Sequence, residues 1–157
     1  MKSLITKWNL LREDLIHKTE MIPGDLLLER PSGFANNLLW QVGHITRTAE
    51  FLTLKFAGIP LSFPANLDPL FAKGSSPDSW ISGSVKPNDL FEVEKKSRLH
   101  LNDILNSVDP DKAFAEPYTT SLGVVLGCIR DSFEYNFYHE GVHAGEIVLY
   151  KKILKIP

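Results

Sequence analysis

Leu4, Ile5, Trp8, Leu11 and Leu15 recur at three- and four-residue steps after Ser3, a spacing that predicts a first helix from about Leu4 to Met21, stopped by Pro23-Gly24. A second helix is expected after Asn36-Asn37, where Leu38, Val42, Ile45, Ala49, Leu52 and Phe56 keep the helical period up to Gly58-Ile59-Pro60. Between Ala57 and Lys86 the pattern dissolves into prolines and glycines interleaved with Phe63, Leu67, Leu70, Phe71, Trp80 and Ile81. So many large apolar side chains argue for a packed crossover, either a cover over one end of the molecule or a lid on a site. A third helix is expected from Pro87-Asn88-Asp89 through Val108, ended by Asp109-Pro110, and the fourth and longest from about Ser121 to Leu154. Four apolar-faced helices with one long crossover between the second and third predict an all-α four-helix bundle, a single domain over residues 1–157.

Composition narrows the class without naming a function. A chain that is 43% hydrophobic and 23% charged can bury a core as one domain. Its formal net charge of −2 gives no electrostatic reason to expect nucleic acid, and the Lys151-Lys152 and Lys155 group reads as favourable charge at a helix C-terminus. No run approaches the length of a membrane span, and the segment Met1 to Leu11 lacks the apolar core of a signal peptide, so no membrane association is expected. The lone Cys128 cannot form an internal disulfide and reads as a small buried hydrophobe; a reducing, cytoplasmic setting is the expectation.

Chemistry concentrates in the last helix. His139 and His143 are four residues apart, which places two imidazoles one turn apart on one face, a spacing able to grip a divalent metal. The same residues spell the H-E-x-x-H string of zinc metalloproteases, with Glu140 in the general-base position. A metalloprotease takes its third ligand downstream, where this chain offers only Glu146, Tyr150 and lysines on the same helix, so the third ligand must come from upstream. Of the three upstream histidines only His44 lies in a strongly patterned apolar segment, Trp40-Gln41-Val42-Gly43-His44-Ile45. Gly43 beside it admits close approach of a neighbouring helix or a ligated metal. His17 and His100 read as helix-surface or boundary histidines.

The pairing of Trp40-Gln41-Val42-Gly43-His44 with His139-Glu140-Gly141-Val142-His143-Ala144-Gly145 resembles the W-x-x-G-H and H-x-x-x-H-x-G segments of the DinB/YfiT-like superfamily of metal-dependent proteins. Helix order and length fit that family over nearly the whole chain. The resemblance implies a metal triad of His44, His139 and His143, the same bundle fold and a homodimer, for which exposed crossover aromatics would suit the interface. It also implies, from characterised relatives, thiol S-transfer with low-molecular-weight thiols such as bacillithiol or glutathione, or a mycothiol-dependent isomerisation.

Three neutral imidazoles leave a divalent ion its charge and open positions, a catalytic arrangement in which a water or a thiol becomes more acidic. Zinc or nickel is expected first, with iron or manganese open because nitrogen ligands select poorly among them. The expected function is therefore a metal-dependent transferase, or a related hydrolase or isomerase, acting on a small-molecule substrate with a thiol as co-substrate. A non-catalytic metal-binding bundle in stress response is the alternative, and a zincin-type hydrolase stands behind both. Glu50, Glu134, Asn136, Glu140 and Glu146 are the candidates to orient the imidazoles, and metal affinity is expected to fall below roughly pH 6.5, where free imidazole protonates.

Overall fold

A computed structural model describes residues 1–156. The element order is α1 (Lys2–Glu20), α2 (Gly24–Leu28), α3 (Leu38–Glu50), α4 (Pro87–Ser107), β1 (Ala113–Thr119), β2 (Val125–Cys128) and α5 (Ile129–Ile153). The molecule is mostly helical, with α3 packed against both α4 and α5, and α1 against the same two helices. Among the described residues, no helix is long and apolar enough to cross a membrane.

Helix α3 is the axis of the structure. Asn37 caps it, its side chain accepting from Trp40 N at 2.8 Å, and it is buried on every side from Leu38 to Thr46. Leu38, Leu39, Trp40, Val42, Ile45 and Ala49 draw the helix into the protein, and it carries His44 there. At its end the backbone widens into a π-turn over Phe51–Lys55. The Asn136 amide of α5 donates to the Ala49 carbonyl at 3.4 Å and to Thr53 Oγ1 at 3.1 Å, occupying polar groups that the widened turn frees.

The long crossover is packed. Phe63, Phe71 and Val85 are buried in the same core as Leu38, Val42 and Ile45, and two 3₁₀ turns, Asp68–Leu70 and Pro77–Ser79, shape the rest. Its start is pinned by Glu50, whose buried carboxylate accepts from Ser62 N, Ser62 Oγ, Phe63 N and the Ser97 hydroxyl of α4. The crossover aromatics point inward, so they are not the exposed surface expected of an interface.

Two features depart from the sequence reading. Gly24–Leu28 forms a short extra helix, and the segment assigned to the start of the last helix is a β-hairpin instead. Tyr118 pairs with Leu126 and Thr119 with Val125, and Gly123 takes φ 80° at the turn, where Gly123 N bonds the Thr120 carbonyl. Glycine supplies that left-handed turn at no steric cost, and the β-branched Val124 and Val125 favour the strand that follows. Helix α5 therefore begins at Ile129, where Asp131 in its first turn accepts from Gly127 N at 2.9 Å.

Candidate metal centre

His44 from α3, buried, and His139 and His143 from α5, half-buried, meet at the border of the core, with the facing nitrogens of all three within 4.8 Å of one another. His139 Nε2 is 3.2 Å from His44 Nε2 and 3.2 Å from His143 Nε2. Two ligands on a tetrahedral zinc, each about 2.0–2.1 Å from the ion, stand about 3.3 Å apart. The expected pair and the upstream histidine thus come together, while His17 is exposed and His100 binds the Pro60 carbonyl elsewhere.

Outer partners settle the tautomers of two rings. His44 Nδ1 lies 2.8 Å from the Phe71 carbonyl, which only accepts, so Nδ1 carries the proton and Nε2 the inward lone pair. His143 Nδ1 donates likewise to Gln41 Oε1 at 2.5 Å, with Glu146 Oε2 at 3.1 Å. Gln41 is held in turn by Tyr150 OH, 3.5 Å from its amide nitrogen, and the His44 ring stacks on Trp40 with centroids 4.4 Å apart and planes 10° from parallel. His139 Nδ1 is buried and has no partner among the described residues.

These contacts test whether the site suits a cation. If His139 carries its proton on Nε2, it can donate to only one of its two neighbours and leaves Nδ1 unpaired in the interior. With the proton on Nδ1, three lone pairs face each other across about a van der Waals distance. Neither placement satisfies the cluster, whereas a divalent ion accepts all three lone pairs at once, so the residues fit a metal. Burial also keeps the rings neutral: it lowers the pKa of His44 and of His143 to about 4 and that of His139, with added repulsion from His143 and His44, to about 2. The pH at which protons begin to compete for the folded site therefore moves down from the roughly 6.5 of a free imidazole.

Gly43 earns its position beside the triad. A Cβ there would run into the Phe71 ring, so the close approach expected at this glycine is made by the crossover, not by a helix. The same Phe71 supplies the carbonyl that orients His44.

Glu140 faces elsewhere. Its oxygens accept from Trp8 Nε1 at 2.7 Å, from Arg12 Nε at 2.9 Å and from Arg12 Nη2 at 2.5 Å. Arg12 is 1% exposed and reaches Glu94 of α4 at 3.5 Å, where Arg98 follows at 3.3 Å. Burial opposes the Arg12 charge, but Glu140 and then Glu94 outweigh it and hold the guanidinium above its ordinary pKa. Of the other candidate orienting groups, Glu146 does contact His143, Glu50 pins the crossover, Asn136 serves the α3 backbone at Ala49 and Glu134 lies exposed. The groups that do orient the rings, Gln41 and the Phe71 carbonyl, had no signal in the spacing of charged residues. Gln41 could have been suspected from its place one turn before His44 on the apolar helix.

A cavity of ≈ 420 Å³ opens against His44 and His139 and is walled by α3, the crossover, the hairpin and α5. A larger one of ≈ 920 Å³ lies between Lys55–Ile59 and Val108–Glu116 and includes none of the three histidines, so the smaller is the one placed for chemistry.

The fold and the cluster define a helical protein that presents three histidines from two facing helices as a candidate centre for one divalent metal. The chain belongs to the DinB superfamily, whose sequence profile matches residues 8–147. That span takes in all three histidines, both residues that orient them, and the crossover. No curated protein matches the chain.

Proposed function

We propose that the chain is a metal-dependent enzyme acting on a small molecule, with Nε2 of His44, His139 and His143 as the metal ligands. The observation that carries this reading is the convergence of three Nε2 atoms while the Nδ1 protons of two rings are turned to fixed acceptors, the arrangement that tunes and orients imidazole ligands. A zinc or nickel ion bound there supplies a Lewis acid that makes a thiol or a water more acidic. We favour thiol-dependent transfer to an electrophile. Glu140 is the residue best spaced to serve as base for a water, but it commits both oxygens to Trp8 and Arg12, and an acidified thiol needs no such base. The same commitment removes the zincin reading, which requires that glutamate at the reacting water.

Around the ion, the protein's own work is to hold the rings neutral by burial, to fix their tautomers through Phe71 and Gln41, and to shield one side with Trp40. The substrate and a low-molecular-weight thiol would meet in the cavity beside His44 and His139. We also read the four long helices as the four-helix bundle expected of this family, and the chain as a homodimer. Support for the dimer comes from α5, where Tyr138, Val142, Leu149 and Ile153 follow one another at four, seven and four residues, share one face of the helix and stand 44–55% exposed.

Metal analysis of untagged protein followed by a panel of thiols with electrophiles tests the proposal. Native protein should carry about one divalent ion per chain. His143→Ala should lower occupancy and any turnover together, while Glu140→Gln should keep the metal and most thiol-transfer activity. A metal-replete Glu140→Gln protein slowed more than about a hundredfold, the scale of general-base loss, would return Glu140 to the chemistry. Native protein without metal under all conditions would end the reading.

A further inference from the structure

The cavity beside the triad has an electrostatic and hydrogen-bonding character of its own. No Asp or Glu lines it, whereas two cations, Arg47 and Lys73, do. The charge of Arg47 is already matched by Asp68, at 2.8 Å from Nε and 3.4 Å from Nη2, and its guanidinium lies over the Phe51 ring at 4.2 Å. Lys73 makes no ion pair among the described residues and sits two positions after Phe71, the residue that orients His44.

Thr48 lines the same wall one turn after His44 on α3. Elsewhere in the helices Thr6, Thr19 and Thr46 each donate their hydroxyl to the carbonyl four residues back, at 3.1, 2.7 and 2.7 Å. Thr48 does not: it is 7% exposed and its Oγ1 has no partner. A buried hydroxyl left unpaired costs stability unless something outside the chain completes it. Phe51, Tyr118 and Tyr135 supply flat, largely apolar walls around these polar groups, and ≈ 420 Å³ falls within the range of small-molecule sites.

We propose that this cavity recognises a small carboxylate with an apolar or aromatic body, its anionic group taken by the Lys73 ammonium and the Thr48 hydroxyl and its body lying between the aromatic walls beside His44 and His139. The inference names the substrate class of the metal site proposed above and rests on that reading for its catalytic meaning, but the anion pocket itself is built from residues outside the triad. An ammonium and a hydroxyl donor in a site without carboxylates select an anion over a neutral molecule of the same shape, because the neutral one leaves the charge unmatched.

Benzoate and its neutral isostere benzamide separate the possibilities when titrated calorimetrically into metal-loaded protein, chelator-treated protein, and the variants Lys73→Gln and Thr48→Val. Benzoate should bind metal-loaded protein and benzamide at least about tenfold more weakly, a ratio equivalent to about 1.4 kcal/mol. Lys73→Gln, at an exposed position, should weaken benzoate by on the order of tenfold, the effect of one lost charge-assisted contact. Thr48→Val should weaken benzoate while raising the melting temperature of the unliganded protein, since it removes a buried unpaired hydroxyl. Benzoate binding that vanishes with chelation and ignores Lys73→Gln would assign the anion to the metal alone, overturning the pocket and leaving the metal reading intact. Lys73-dependent benzoate binding by protein that never retains metal would keep the pocket and remove the metal reading. Equal binding of benzoate and benzamide, or no binding of either, overturns the proposal.

Discussion

His139 and Glu140 are consecutive residues of α5, yet they enter two buried polar clusters of opposite design. Glu140 joins Arg12, Trp8, Glu94 and Arg98 in a closed arrangement in which opposite charges face each other across α1, α4 and α5. His139 joins His44 and His143 in an open one, three neutral rings with like lone pairs turned inward. Both clusters forfeit hydration; the first offsets it with ion pairs inside the chain, although Glu94 Oε1 and Arg98 Nε lack a hydrogen-bond partner, whereas the second has no opposite charge to offset it. The contrast teaches how to tell a polar cluster that holds a fold together from one kept for a ligand: the first is matched in charge by the chain itself, and the second turns lone pairs of one kind toward a common point with no countercharge from the protein.

Acid should separate the two most strongly. In metal-free protein the unfolded histidines take up protons below their ordinary pKa of roughly 6.5, while the folded ones resist until about 4 for His44 and His143 and about 2 for His139. The unfolded state then binds more protons than the native one across that window. Stability from these three residues is therefore fully present above about 6.5 and is lost as the pH falls toward about 4, after which only His139 continues to contribute a slope. Melting curves between pH 7 and 4.5 should show this loss, smaller in metal-loaded protein; a flat profile without metal would mean that the rings are not held neutral by burial.

Breaking the closed cluster comes next. Arg12→Ala leaves the Glu140 carboxylate buried without a countercharge, with only the Trp8 indole as donor, and leaves Glu94 to Arg98 alone, so denaturant titration should record a loss of about 3–5 kcal/mol. A loss below about 1 kcal/mol, the scale of an exposed ion pair, would erase the distinction between the clusters. The smallest change is expected from Gln41→Leu, which removes an acceptor from His143 Nδ1 but leaves Glu146 in reach. Metal affinity measured by competition with a chelator should fall by about tenfold, the lower end for loss of a ligand's hydrogen-bond partner. Unchanged affinity would show that Glu146 alone fixes the tautomer.

The parts of this site that could be read in the sequence are those with a local signature. The four-residue step from His139 to His143 fixes a shared face on any helix, and the Asn37 cap with the apolar run behind it placed His44 on a buried one. The tight approach at Gly43 was also foreseeable, since absence of a Cβ is visible in the chain. What touches that glycine was not: Phe71 arrives from a crossover with no period, and its carbonyl carries no side-chain signal at all. The hairpin was hidden for another reason. Leu122, Leu126 and Ile129 fall at helical steps, and the turn at Gly123 and the valines beside it outweigh that pattern only once the strands pair. Glu140 shows the limit of motif reading, because the string that suggests a general base does not say which neighbour, here Arg12, will claim the carboxylate.

Phe71 also bears on which lengths this chain can vary. Surface connections usually accept inserted or deleted residues freely, because little depends on where they pass. Here the stretch from Glu50, which grips Ser62 and Phe63, to Phe71, which seats its ring on Gly43 and its carbonyl on His44, is measured out between two fixed points. Past Trp80, exposed Ile81 and Gly83 with its positive φ meet no such constraint. One connection thus contains a ruled segment, extended by Ser75 on Trp40 and by Trp80 on Phe71, and a free one, and a relative that lengthens it has room to do so after Trp80, where the added residues leave the orientation of His44 untouched.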